Sequence, residues 1–127
     1  MKNLAALFVL FLSFSLAVQA QNGPVMTFKT DTYDFGTITE GDSVSFEFVF
    51  TNTGKSNLII SNVQASCGCT TPYWPQQPIK PGESSKIKAT FKSEGKMGTQ
   101  NKVITITTNE ADNTKRVFFK GLVKERK

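Results

Sequence analysis

The sequence predicts an all-β sandwich of about seven antiparallel strands, folded as a single domain behind an N-terminal leader. Three observations predict it. Apolar and polar residues alternate with a period of two through most segments after residue 20. Turn-forming Gly, Asn, Asp and Pro recur about every 8 to 12 residues, the spacing of short strands in a sandwich. No segment beyond the leader carries a helical period, and strands apolar on only one side suit a sandwich better than a glycine-kinked barrel.

The leader comes first. Lys2 precedes an apolar run over residues 4–18, broken only by Ser13 and Ser15. Val18-Gln19-Ala20 then reads as a signal-peptidase site, with cleavage expected between Ala20 and Gln21. The run is about 15 residues, short of the ~20 that span a bilayer, and neither a basic stop-transfer cluster nor a cysteine follows. The expected product is a periplasmic or secreted domain, residues 21–127, with no transmembrane anchor after cleavage.

Strands are expected at 25–29 and 32–38, with a bend at Phe35-Gly36, and then at 43–51 after the Glu40-Gly41-Asp42 turn. The third is the clearest: Val44, Phe46, Phe48 and Phe50 alternate with Ser45, Glu47, Val49 and Thr51. Residues 57–65 form the next strand, irregular near Ser61-Asn62. Residues 66–83 hold both cysteines and four of the five prolines, so they read as the longest irregular segment, closed to a central strand or helix. Strands resume at 84–92, 103–108 and 117–123, separated by the glycine-bounded loop 94–98 and a polar turn at 109–113. The terminal Lys124-Glu125-Arg126-Lys127 reads as a solvated tail.

Charge and composition narrow the function. Loss of Lys2 with the leader takes the net charge from +5 to +4, and the basic residues are dispersed. That balance serves solubility; no basic–aromatic motif for nucleic acid is present. Histidine is absent, which removes the commonest general base and metal ligand. No nucleophile elbow, phosphate loop or zinc-binding helix motif occurs. The expectation is therefore not an enzyme, with no cofactor and no metal.

The order of several short motifs resembles a known family. Asp34-Phe35-Gly36 is followed by Phe48-x-Phe50-x-Asn52-x-Gly54 and Ser66-Cys67-Gly68-Cys69-Thr70. Pro78-Ile79-x-Pro81-Gly82 and Gly121-x-Val123 complete the series. The chain resembles the bacterial domain-of-unknown-function family 1573 from about residue 26 to 123. That family is similar to the immunoglobulin-like domains of the abnormal-spindle and hydin type, and more distantly to major sperm protein. The resemblance implies an exported bacterial immunoglobulin-like β-sandwich, alone or repeated in larger envelope proteins. It implies no activity and carries over no catalytic residue. At the matching positions, Gly36 and Gly54 suit positive φ, and Asn52 suits hydrogen bonds to turn backbone. Pro81-Gly82 fits a type II turn. Gly121 marks a bulge or a close approach by another backbone.

Two features hold chemical potential. Cys67 and Cys69 flank Gly68, and three readings of them stand open. Oxidising compartments favour a disulfide, although extended residues two apart exceed the usual ~5.5–6 Å Cα separation unless Gly68 folds the chain. Two thiolates, with Met97 as a thioether, suit a soft metal, but two cysteines and no histidine cannot complete a structural zinc site. Reduced, partly buried thiols are the third reading. Tyr73 and Trp74, stiffened by Pro72 and Pro75, form a candidate partner-binding loop or a carbohydrate-stacking pair. Alternatively, Trp74 plugs the end of the sandwich. The leading expectation is a non-catalytic envelope module that binds another protein through a sheet edge or the 66–83 loop. Lys29, Lys102 and Lys115-Arg116 are the expected edge guards. A thiol-dependent redox or copper-handling role at Cys67 and Cys69 is the alternative.

Overall fold

The computed structural model describes residues 22–127, so the expected signal peptide, residues 1–20, lies outside the described residues. Eight strands follow in order: β1 (Met26–Phe28), β2 (Thr32–Thr39), β3 (Ser43–Asn52), β4 (Ile60–Ala65), β5 (Thr70–Tyr73), β6 (Ser84–Lys92), β7 (Gly98–Thr108) and β8 (Thr114–Lys124). They make two four-stranded sheets, β1-β3-β6-β5 and β2-β8-β7-β4, packed face to face as a sandwich. All pairings are antiparallel except β2 with β8, which is parallel. The chain leaves the first sheet after β1 and joins the second as β2, so β1 and β2 run along the same side of the sandwich in different sheets.

The alternation read in the sequence is what builds the core. Phe46, Phe48 and Phe50 of β3 are buried, while Ser45, Glu47 and Val49 face outward. Ile87, Ala89 and Phe91 of β6, Ile104 and Ile106 of β7, and Val117, Phe119 and Val123 of β8 close the same layer. Aromatic rings run through it in sequence: Tyr33 stacks on Phe46 at 4.8 Å, Phe46 meets Phe119 at 4.9 Å, and Phe119 meets Phe91 at 5.6 Å. Phe35 stacks on Phe91 at 5.3 Å and extends the row to the sandwich end. Offset and edge-on ring pairs add about 0.5–1.5 kcal/mol each beyond area burial.

Several expectations are corrected. The segment 66–83 is not wholly irregular, because β5 forms within it around Pro72. Lys92 N–H donates to Cys69 O, which sets Thr71 and Tyr73 as the residues that bond β6. Pro72 falls between them, where its missing N–H faces away from the sheet, and an edge strand tolerates that. Gly54 is not among the glycines with positive φ. It is required instead by close approach: a Cβ there would collide with Gly23 O and lie 2.7 Å from Pro24 C. Gly121 does admit a neighbour, but the intruder is the Phe35 ring rather than another backbone. Lys102 lies on interior strand β7 and guards no edge. The tail is not free: Arg126 Nε donates to Glu40 O at 2.9 Å, and its guanidinium pairs with Asp42 at 3.4 Å.

Other expected features are present in the fold. Gly36 has φ +74° within a β-bulge between Asp34 and Thr37, and its N–H donates to Asp34 Oδ1 at 2.8 Å. The irregularity near Ser61-Asn62 is a second bulge, between Ile60 and Asn62. Glu83 N–H donates to Lys80 O at 3.0 Å, with Gly82 at φ +83°, as a type II turn over Pro81-Gly82 requires. Asn52 is fully buried and more connected than expected. Its Nδ2 donates to Ser56 O and Ile79 O, both at 2.8 Å. Its Oδ1 accepts from Gly54 N at 3.0 Å and Val25 N at 3.3 Å.

Candidate functional site

Two regions come forward, the Cys67–Trp74 segment and the open edges of the sheets. At the first, Ser66 N–H donates to Val103 O at 2.9 Å and ends the β4–β7 ladder. The chain then turns, with Thr70 N–H donating to Cys67 O at 3.3 Å. That turn brings the two Cα atoms to 5.2 Å, and Cys67 and Cys69 are joined as a disulfide. Gly68 at its apex is exposed, and nothing lies within 4 Å of where its Cβ would be. Both cysteines are half-buried, but Cys69 packs against the core cluster and Cys67 does not. The buried Thr70 hydroxyl lies 3.9 Å from Cys67 Sγ and 3.8 Å from Cys69 Sγ. Its place in the Ser66–Thr70 motif assigns Thr70 no role; the burial of its hydroxyl beside the bridge does.

Met97 does not join this group. It stands 59% exposed just before β7 begins, whereas the disulfide loop meets β7 at Val103. The strand between Gly98 and Val103 is about 17 Å long at the usual rise. Tyr73 and Trp74 separate as well. Tyr73 is 65% exposed, opposite Lys88 on the outer face of β6, while Trp74 packs against the core. The two rings therefore face different surroundings, Tyr73 the solvent and Trp74 the core.

The edges follow from hydrogen-bond direction, since alternate residues of an antiparallel strand turn their backbone groups to opposite sides. Three edges are blunted. Met26 N–H of β1 donates to Glu110 Oε2 at 3.1 Å; Glu110 is buried, accepts from Thr108 Oγ1 at 2.8 Å and pairs with Lys115 at 3.5 Å. In the sequence that carboxylate belongs to the polar turn 109–113, and nothing in its neighbourhood marks it as buried. On β5 the outward positions are Thr70, whose N–H is used within the turn, and Pro72, which has none. On β2 the Phe35–Gly36 bulge breaks the register and Asp42 caps Thr39. Bulges and prolines of this kind restrain edge pairing.

The fourth edge, β4, has a bulge between Ile60 and Asn62, and a regular stretch of β3 is left open as well. In β3, Asn52 N–H donates to Glu83 O and Ser93 N–H donates to Asp42 O, so the even-numbered residues face β6. The odd-numbered ones face β1, which reaches only as far as Val49 through the Lys29 N–H to Val49 O bond. Ser43, Ser45 and Glu47 therefore turn N–H and C=O to an edge with no neighbouring strand among the described residues. In the other sheet β2 begins at the Phe118 N–H to Asp31 O bond, leaving Thr114 and Arg116 of β8 uncovered beside an open groove of about 520 Å³. Both gaps come from the crossing of the chain between sheets at residues 29–31. On the outer face, Glu47 pairs with Lys86 at 3.4 Å.

A two-sheet sandwich with a parallel first strand in the second sheet is an immunoglobulin-like architecture, the class this fold defines. The model of the family described as "Protein of unknown function (DUF1573)" matches residues 26–123, and the chain belongs to that family. No curated protein matches it. Among solved structures it is similar to a protein of unknown function from Porphyromonas gingivalis W83, with TM-score 0.70 and 21% identity over 84% of this chain. The chain spans 50% of that protein's length. It is also similar to PapD-like domain 7 of human CEP192 (TM-score 0.65, 10% identity, covering 80% of this chain and 87% of that one). A third similar structure is WR4, a C. elegans MSP family member (TM-score 0.50, 12% identity, covering 80% and 99%). At these identities the likeness is one of fold.

Proposed function

We propose that this chain is an exported, non-catalytic module of the bacterial envelope that binds another protein by accepting an extended segment as an added strand beside β3. The observation that carries the reading is the open backbone of Ser43, Ser45 and Glu47, in a sandwich whose β1, β5 and β2 edges are blunted by Glu110, Pro72 and the β2 bulge. A strand laid there continues the line of β1 and meets a regular ladder of donors and acceptors. Main-chain bonds then supply affinity, and the pockets beside the edge supply preference for particular side chains. Export fits the leader read in residues 1–20.

Ser45→Pro tests it. The substitution removes one outward N–H and leaves the β6-facing bonds of β3 in place, so the fold is retained and partner binding is lost. Wild-type and variant protein are compared by capture from bacterial envelope extract, and the Ser43, Ser45 and Glu47 amides are followed by hydrogen exchange with and without the captured partner. Slowed exchange at these amides, with capture abolished by the proline, is the expected result. Undiminished capture by the variant, or exchange unchanged on binding, refutes strand addition at β3.

A further inference from the structure

We propose that the Cys67–Cys69 bridge is a thiol–disulfide exchange site whose substrates are paired cysteines of other proteins, with Cys67 as the sulfur that forms the mixed disulfide. Five observations support it. The bridge spans residues already held on both sides, by Ser66 N–H to Val103 O and by Lys92 N–H to Cys69 O, so opening it leaves the strands anchored. Open space above Gly68 admits an approaching chain. The two sulfurs differ, because Cys69 is packed against the core and Cys67 is not. The Thr70 hydroxyl stands within 4 Å of both, placed to donate to whichever sulfur is released. Finally, Lys102 precedes Val103, whose O accepts from Ser66 N–H at the end of the β4–β7 ladder, so it stands on the strand that borders the disulfide loop. Lys102 is half-buried and forms no salt bridge among the described residues. A cation beside a cysteine favours its thiolate.

The chemistry balances without a cofactor. A substrate thiolate attacks Cys67 Sγ, the Cys67–Cys69 bond breaks, and Cys69 leaves as a thiolate that accepts the Thr70 hydroxyl. The substrate's second thiolate then attacks the substrate sulfur of the mixed disulfide and releases Cys67 as a thiolate beside Lys102. Two electrons pass from the substrate dithiol to the cysteine pair, and the substrate leaves as a disulfide. The two thiol protons end on Cys67 and Cys69 or in solvent. Run backward, the reduced pair reduces a substrate disulfide by the same mixed intermediate. Lys102 acts as a positioning residue.

The test uses the native chain and its Cys67→Ser and Cys69→Ser variants, with intact mass as the readout and glutathione disulfide as probe. The Cys69→Ser variant, which keeps Cys67, is expected to take up one glutathione at least about tenfold faster than Cys67→Ser, the difference between an open and a packed sulfur. Lys102→Met in the Cys69→Ser background slows uptake about threefold, and Lys102→Arg restores it. A second arm offers the oxidised wild type a reduced dithiol peptide or reduced glutathione at equal thiol concentration, without denaturant. Faster consumption by the dithiol peptide supports protein substrates, and faster consumption by glutathione overturns them. Equal labelling of the two single variants, or a bridge reduced only after denaturation, overturns the exchange site. Lys102→Met labelling at the parental rate overturns the role of Lys102.

Discussion

Asn52→Ala removes the most connected buried polar side chain of the domain, and its effect can be worked from its four bonds. The side chain is fully buried. Truncation takes from buried Ile79 O one of its two donors, leaving Leu58 N–H at 2.8 Å, and strips Ser56 O, Gly54 N and Val25 N of partners in partly buried positions. Each of the four bonds contributes about 0.5–1 kcal/mol net. The expected loss is about 2–4 kcal/mol, a large part of the ~5–15 kcal/mol that holds a domain of this size. With an m-value near 1.5 kcal/mol/M, the urea midpoint falls by about 1–3 M. The measurement is equilibrium urea unfolding followed by Trp74 fluorescence, with Thr53→Ala as control. Thr53 shares only an exposed bond with Thr27, at 2.8 Å, and its loss should stay within about 0.5 kcal/mol. A change below about 1 kcal/mol for Asn52→Ala would show that water replaces the amide, and that Asn52 does not join β1, the Gly54 turn and the Ile79 bridge.

Three further outcomes are expected. Gly121→Ala drives a Cβ into the Phe35 ring and should destabilise by about 1–3 kcal/mol in thermal unfolding, with Phe35→Leu in the same chain recovering part of the loss. Glu110→Ala removes the acceptor of Met26 N–H and Thr108 Oγ1, for a loss of about 2–4 kcal/mol; faster hydrogen exchange at the Met26 amide should accompany it. Cys67→Ser with Cys69→Ser opens a loop of only three residues, worth about 1.5 kcal/mol by chain entropy, so Tm should fall by no more than about 7 °C in a differential scan.

The sequence was most legible where local pattern and tertiary burial agree. In β3 and β6 the inward residues are apolar from Val44 to Phe50 and from Ile87 to Phe91, so the period of two alone places both strands and their buried face. Turn chemistry was equally readable at Gly36 and at Pro81-Gly82, where a positive φ admits few residues but glycine. Long-range partners were not readable. Gly54 has the same local appearance as Gly36, but what demands it is the chain at residues 23–24 passing over it. Glu110 sits among Asn109, Ala111 and Asp112 and resembles a solvated turn. Its burial depends on Met26, 84 residues away. β5 was hidden for a different reason, since proline excludes a central strand and only the fold makes Thr70–Tyr73 an edge. The disulfide likewise depended on a turn at Cys67–Thr70 that spacing leaves undetermined.

The same long-range contacts decide what the molecule leaves available. β1 is short because Asn52, Glu110 and the Gly54 turn tie it against the end of β3, and the chain must then cross to pair with β8 from Thr32 onward. A β1 extended in the same register by seven residues, to position 35, would cover Ser43–Glu47 and leave no open ladder on that side. The crossing at residues 29–31 therefore both closes one half of each sheet edge and exposes the other half. Lengthening β1 past Phe28 would strengthen the sandwich at that edge, and it would remove the ladder on which the proposed partner strand is built. The open half of β3 and the capped half of β1 follow from one decision of the chain, which is why the Asn52 and Glu110 contacts bear on binding without lying beside the strand that binds.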